Sequence, residues 1–297
     1  MFALHRLIKK EKPEVTLGYT IKPVVYGAMA AKLAGVKSRT SMITGAGYLF
    51  TSTSLKAKMT KIIGKILYRV GLACANKVIF QNEDDLEEFT RMRLVTSNKC
   101  HVVNGSGVNM EHFSMAPLPD NVTFFMLSRA LYSKGVMEYL EACRIIKKKF
   151  PKVRCMYLGG IEPMQDAIPE EVIKSFIEDG SVEYFGETAD VRPYVAECSV
   201  YVLPSYREGT PRTVLEAMAQ GRPIITTDVP GCRGTVIKGE TGFLVPPKNP
   251  EAVADKMEWF INHPSRIGEM GFASHQYCAV KYEVGIVNRR MLEIMGL

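Results

Sequence analysis

Val200-Tyr201-Val202-Leu203-Pro204-Ser205-Tyr206-Arg207-Glu208-Gly209-Thr210-Pro211-Arg212-Thr213-Val214-Leu215-Glu216-Ala217-Met218-Ala219 is the stretch from which the rest of the chain can be read. The unbroken apolar run 200–203 has no polar alternation, so it reads as a strand buried on both faces, which is the pattern of a parallel sheet. Pro204 ends it. Pro211 suits the first turn of a helix, where a missing N–H costs nothing. Glu208 then lies in the loop at the carboxyl end of the strand, and Glu216 on the helix. Open α/β sheets bind ligands at that end. The backbone N–H groups of Thr210, Arg212 and Thr213 would face an anion there, and Gly209, in the same turn, is counted with them among the residues expected to bind the nucleotide sugar. The Glu216 carboxylate can accept two hydrogen bonds from vicinal hydroxyls. An anion cradle beside such a carboxylate suggests a nucleotide sugar.

Outward from this stretch, the second half of the chain alternates strands and helices, as a doubly wound α/β domain does. Strands are predicted at 122–127, 153–158, 182–185, 223–226 and 242–245. Helices are predicted at 135–148, 191–197, 211–220 and 250–262. The first part is also α/β. It has strands near 15–18, 41–44, 77–81 and 100–104, and helices at 24–33, 55–72 and 83–92. The proline-bearing stretch 115–120 is the expected linker. It divides an N-terminal domain, residues 1–115, from a C-terminal domain, residues 116–297, that includes the last helices.

The 297 residues suffice for two domains, and 46% of them are hydrophobic, so each can bury a core. No apolar run is long enough and free enough of charge to span a bilayer. The seven cysteines are scattered singly, without a Cys-x-x-Cys, which argues against a disulfide framework or a zinc site. The net charge of +7 is unevenly spread: no acidic residue occurs between Glu14 and Glu83. Lys22, Lys32, Lys37, Arg39, Lys56, Lys58, Lys61, Lys65, Arg69 and Lys77 all fall in that interval. A field of one sign implies an anionic partner. In the predicted helix 55–72, Leu55, Met59, Ile62, Ile63, Ile66, Leu67 and Val70 share a face, and Lys58, Lys61, Lys65 and Arg69 form a separate basic stripe. Such a stripe suits an anionic membrane or a lipid diphosphate; the plain alternative is an ordinary helix with its basic face in water.

A second motif, Leu127-Ser128-Arg129-Ala130-Leu131-Tyr132-Ser133-Lys134-Gly135-Val136, follows the first strand of the second half. Arg129 can grip two oxygens of a diphosphate and Lys134 can act as a point charge. Two solvated surface cations are the alternative. Gly159-Gly160 ends a strand where a backbone must approach something closely. No Asp-x-Asp occurs to hold a divalent metal, His5, His101, His112, His263 and His275 share no ligand spacing, and neither a Walker A nor a Gly-x-Ser-x-Gly is present.

Glu208-x7-Glu216 with Gly209, Pro211 and the Glu216-Ala217-Met218-Ala219 tail, continued by Gly221-Arg222-Pro223-Ile224-Ile225, resembles the signature of the family 4 retaining glycosyltransferases of GT-B fold. The resemblance covers nearly the whole chain and is strongest over residues 122–247. It implies two Rossmann-like domains, a metal-independent reaction without a cofactor, and a UDP-linked sugar as donor. In the family pattern Arg129 and Lys134 hold the donor diphosphate and offset charge on the leaving nucleotide. Gly160 lies near the donor, Glu216 binds the ribose, and Glu208 contacts the donor sugar. The segment Tyr184-Phe185-Gly186 with Asp190-Val191 runs beneath the nucleobase. Further matches at Thr44-Gly45-Ala46-Gly47 and Gly107-Val108-Asn109-Met110-Glu111-His112-Phe113 are similar to the subgroup that builds bacterial lipid-linked oligosaccharides, capsule and O-antigen, including transferases acting on undecaprenyl-diphospho-bacillosamine. This implies a polyprenyl-diphosphate-sugar or glycan acceptor at the cytoplasmic face of a membrane, with no nucleic acid partner. Family members carry further βα units before a segment like residues 13–22, so the N-terminal domain is expected to be incomplete. Two other readings stay open: a non-catalytic nucleotide-binding remnant, and a GT-B nucleotide-sugar epimerase.

Overall fold

The structure, a computed structural model, describes residues 1–45, 55–162 and 164–297, with the helical backbone alone for residues 55–61. Its contacts divide the chain into two units: Met1–Ser106 with Glu208–Thr210 and Gly285–Leu297, and Gly107–Arg207 with Pro211–Val284.

The first unit holds a parallel sheet in the order β1 (Val15–Tyr19), β2 (Ser38–Ile43), β3 (Lys77–Phe80), β4 (Cys100–Val102). Helix α1 (Phe2–Glu11) precedes β1. A π-helical turn, Pro23–Gly27, runs into α2 (Ala28–Leu33). Helix α3 (Leu55–Cys74) precedes β3, and α4 (Glu83–Arg91) follows it. The start of α4 is fixed by sequence chemistry. Asn82 Oδ1 accepts from Asp85 N at 2.8 Å, and Glu83, Asp84 and Asp85 fill the positive first turn. The core of this unit gathers Val24, Val25, Tyr68, Leu72, Phe80 and Phe89.

Helix α3 packs by a different face from the one its apolar pattern suggests. Gly64, Tyr68, Gly71 and Leu72 are buried. Ile62, Ile63, Ile66 and Val70 are 61%, 54%, 58% and 45% exposed. Close approach decides this: a Cβ on Gly71 would lie 2.6 Å from Val25 Cα, so the glycine side can lie against the π turn while the branched side cannot. Lys58 and Lys61 of the basic stripe, and Leu55 and Met59 of the apolar face, lie outside the described side chains. Ala46 and Gly47 lie outside the described residues.

The second unit holds a parallel sheet in the order β10 (Gly242–Val245), β9 (Ile224–Thr227), β8 (Val200–Leu203), β5 (Thr123–Leu127), β6 (Arg154–Leu158), β7 (Glu183–Tyr184). Its helices are α5 (Val136–Lys149), α6 (Glu170–Glu178), α7 (Arg192–Ala196), α8 (Arg212–Ala219), α9 (Pro250–Asn262) and α10 (Ser265–Lys281). The chain builds outward from β5 through β6 to β7, then crosses to β8 and builds the other way. The order therefore reverses between β5 and β8, and the crevice at such a switch point is where doubly wound sheets bind ligands. Strands β5, β6 and β8 are buried on both faces. Tyr139 of α5 is wholly buried with its hydroxyl proton satisfied between two carbonyls, Met156 O at 2.8 Å and Phe124 O at 3.2 Å.

Two domain expectations change. The division falls after Ser106, because the 115–120 stretch is anchored within the second unit. Arg222 is fully buried and donates to Ala116 O at 2.9 Å, Pro117 O at 2.8 Å, Val195 O at 3.1 Å and Ala196 O at 2.9 Å. Four carbonyls replace the missing carboxylate of this buried guanidinium, and they fasten the proline stretch to the end of α7. The last helix, α11 (Val284–Met295), clusters from Gly285 onward with the first unit. Val287 and Ile294 pack there with Met42, Ile79 and Val103.

Candidate functional site

At the carboxyl ends of β5 and β6 the second unit forms an open cavity of about 570 Å³. It is walled by the β5 loop (Ser128, Arg129), the β6 loop (Gly159, Gly160), the segment after β7 (Glu187 to Val191), the first turns of α8 (Arg212, Thr213, Glu216), and His112 with Phe113. The floor is built for close approach. A Cβ on Gly159 would collide with Ser128 O, and one on Gly160 would collide with the Glu187 carboxylate. Backbone bonds lock these loops together: Gly159 N donates to Gly186 O at 2.8 Å and Ala130 N to Gly160 O at 2.9 Å.

Arg129 is exposed at the mouth of this cavity. Among the described residues its guanidinium meets a thioether, Met164 Sδ, at 3.5 Å, and no carboxylate. A planar fork with no acid to neutralise it is ready for a doubly charged anion. Glu216 on α8 is 7% exposed. Arg212, one turn earlier on the helix, donates to Glu216 Oε1 at 3.0 Å. Burial raises the pKa of the Glu216 carboxyl above the ordinary range, and the Arg212 charge partly offsets this.

The structure brings together Arg129, Gly160, Arg212, Thr213 and Glu216, five residues singled out in the sequence. It places others elsewhere. Lys134 closes the short 3-10 turn Tyr132–Lys134 and is not among the cavity walls. Glu208, Gly209 and Thr210 cluster with the first unit. Gly209 O accepts from Asn82 Nδ2 at 2.6 Å, and the Thr210 hydroxyl donates to Gln81 O at 2.9 Å. A side chain at Gly209 would strike Thr44 O and come within 2.6 Å of Gln81 Oε1, so this glycine serves close packing. Pro211 is the N-cap of α8, not its first helical residue.

The rim joins Asp190 and His112, both within segments quoted from the sequence, to Arg192 and Glu187, which the sequence reading did not single out. Asp190 and Arg192 form a bidentate pair, with Nε to Oδ1 and Nη2 to Oδ2 both at 2.8 Å. That pairing pulls the Asp190 carboxyl down to about 2. Arg192 Nη1 lies 3.4 Å from His112 Nδ1, and His112 comes from a segment far away in sequence. Glu187 contributes a further carboxylate at the Gly160 wall.

Residues 121–263 match the family described as Glycosyl transferases group 1, and residues 1–82 match Glycosyl transferase 4-like. The chain is 26% identical to the N,N'-diacetylbacillosaminyl-diphospho-undecaprenol alpha-1,3-N-acetylgalactosaminyltransferase of Campylobacter jejuni, covering 99% of this chain and 79% of that protein. It is 25% identical to the capsular polysaccharide biosynthesis glycosyltransferase CapM of Staphylococcus aureus, covering 95% and 76%. Among solved structures, HepE of Anabaena in complex with UDP superposes with a TM-score of 0.81 at 18% identity, covering 98% of this chain and 81% of that one. The fold is accordingly GT-B, two Rossmann-like α/β units. By sequence and fold the chain belongs to the group 1, family 4-like glycosyltransferases.

Proposed function

We propose that this glycosyltransferase takes a sugar from a UDP-linked donor and passes it, with retention and without a metal, to a polyprenyl-diphosphate-sugar or glycan acceptor in bacterial surface glycan synthesis. The observation that carries the reading is the cavity at the β5/β8 switch point, with Arg129 at one wall and Glu216 at another. Glu216 accepts the ribose hydroxyls. Arg129 offsets the charge that develops on the departing diphosphate, and such electrostatic stabilisation is commonly the largest catalytic contribution. Gly160 lets the donor approach the backbone. Glu208 contacts the donor sugar, and Lys134 assists the diphosphate; sequence resemblance supports these two assignments. UDP in solved relatives of the same fold and lipid-diphosphate acceptors in the names of relatives support the substrate classes. The test is transfer from a panel of UDP-sugars to undecaprenyl-diphosphate-linked sugars, with product detected by mass spectrometry of the lipid and its anomeric configuration read by NMR. Lipid-linked product with the anomeric configuration of the donor is expected. UDP binding without any transfer would favour the non-catalytic reading.

The same reading places the first unit on the inner face of the cell membrane. The exposed apolar stripe Ile62, Ile63, Ile66 and Val70 on α3 is bordered by Lys65 and Arg69. An apolar stripe edged by cations suits the headgroup boundary of an anionic bilayer. No described helix is long and apolar enough to cross a membrane. Each cation near such a surface contributes about 1 kcal/mol and is screened within a Debye length. Changing Lys65 and Arg69 to Gln should therefore lower affinity for phosphatidylglycerol-containing vesicles by roughly 2 kcal/mol, about 30-fold, and leave UDP binding intact. Vesicle sedimentation that is insensitive to salt and to these changes would count against the placement.

A further inference from the structure

Within the second unit, the site described above leaves one buried carboxylate unused. Glu138, in the first turn of α5, is 8% exposed. Its Oε1 accepts the Tyr206 hydroxyl at 2.6 Å, while Oε2 is enclosed without a partner among the described residues. Burying a carboxylate is costly unless its bonds are made, so a half-satisfied one is not retained for stability alone. Its first-turn position on α5 offers the positive end of a helix dipole in part compensation.

Tyr206 lies in the loop between β8 and α8, and Glu138 follows the loop between β5 and α5. These are the two loops that flank the switch point. They are tied at further points: Tyr206 N donates to Ser133 O at 2.9 Å, and Ser205 Oγ to Lys134 O at 3.4 Å. Gly135 has no room for a side chain, because one would collide with Pro204 O. Lys248 Nζ stands 5.0 Å from the centre of the Tyr206 ring, on the side chain of a residue with φ of 58°. The Glu138–Tyr206 bond joins a side chain in the first turn of α5 to a side chain of the β8–α8 loop. Arg129 belongs to the first loop, and Arg212, Thr213 and Glu216 open the helix that follows the second.

We infer that Glu138 is a positioning residue: through the Tyr206 hydroxyl it fixes the spacing between the diphosphate side and the ribose side of the donor cavity. The inference rests on the donor reading proposed above. A ligand that touches both sides at once gains from that fixed spacing, because its second contact is made at high effective concentration. A ligand that touches one side gains nothing from it.

The experiment compares UDP, which spans both sides, with uridine, which has no phosphate. Titrations are run on the full chain for Tyr206→Phe, Glu138→Ala, the double variant and Glu138→Gln. Tyr206→Phe and Glu138→Ala should each weaken UDP about tenfold and uridine less than twofold. The double variant should be no worse than either single one, and Glu138→Gln, whose amide oxygen still accepts the hydroxyl, should recover most of the loss. Tyr206→Phe keeps the test open if Glu138→Ala does not fold. UDP affinity unchanged in Tyr206→Phe, equal weakening of both ligands, or additive losses would each overturn the inference. A wild-type chain that binds neither UDP nor uridine would instead overturn the donor reading on which it rests.

Discussion

Replacing Glu216 by Ala is expected to weaken UDP by about 10- to 100-fold while the protein stays folded. Hydrogen bonds to a charged acceptor contribute ~1.5–3 kcal/mol, and the ribose offers two donors to this carboxylate. Folding should survive because Arg212, the partner left behind, has a side chain that is 69% exposed and returns to water. The sign of the pH effect follows from burial. The Glu216 carboxyl titrates above the 4.5 of an ordinary glutamate, chiefly because it is desolvated. Relative to the unfolded chain, its contribution to stability is therefore fully present below pH 4.5 and is lost as pH rises through the folded pKa. Binding runs the other way, because the ionised form is the better acceptor for hydroxyls. Uridine affinity should fall as pH drops through the raised pKa, beginning above the usual glutamate range. Uridine is the right probe because it carries no phosphate to titrate alongside. In Glu216→Gln the pH dependence should vanish. Calorimetry showing UDP affinity within twofold of wild type in folded Glu216→Ala would remove this residue from the ribose site.

How legible the molecule is in its sequence depends on the range of the interaction that decides each feature. Val200–Leu203, Gly242–Val245 and Pro250–Asn262 stand where the sequence places them. Their signals are local: apolar continuity for the strands, and for α9 a proline in its first turn behind Asn249, whose side chain accepts from Ala252 N at 2.8 Å. Helix α6 carries signals of the same local kind, the acidic first turn Glu170-Glu171 and the apolar spacing of Ile173 and Phe176, though it is not among the predicted helices. The packing face of α3 was not readable. Periodicity shows that an apolar stripe exists, while the choice of buried side was made by Gly71 against Val25, far off in the chain. The site divides along the same line. Arg129 and Glu216 could be found because each sits at a strand-to-helix turn visible in sequence. The meeting of His112 with the local Asp190–Arg192 pair, and of Glu187 with Gly160, depends on how distant loops converge, and no single segment encodes that. Glu208 and Thr210 show the limit of reasoning from chain neighbours. They lie between Arg207 and Pro211 of the second unit, yet cluster with the first.

Replacing Arg129 by Ala should produce the most selective loss: UDP weakened by at least tenfold, uridine by less than twofold. The selectivity follows from the chemistry of the ligands, because uridine has no phosphate for the guanidinium to hold. The magnitude follows from the bond type. Hydrogen bonds to charged groups contribute ~1.5–3 kcal/mol, and a bidentate grip on two oxygens makes a pair of them. Arg129 is exposed and meets no carboxylate among the described residues, so its removal should leave no buried charge behind and cost little stability. Arg129→Lys should recover only part of the loss, because an ammonium keeps the charge but not the planar fork. Lys134→Ala should cost UDP binding less than Arg129→Ala, since Lys134 is not among the walls of the cavity. If side chains and backbone N–H groups hold the diphosphate without a metal, EDTA should leave UDP affinity unchanged in the wild-type chain. A clear drop on chelation would assign the phosphate charge to a cation instead. Equal weakening of UDP and uridine by Arg129→Ala would move this residue away from the diphosphate and leave the leaving group without its proposed counter-charge.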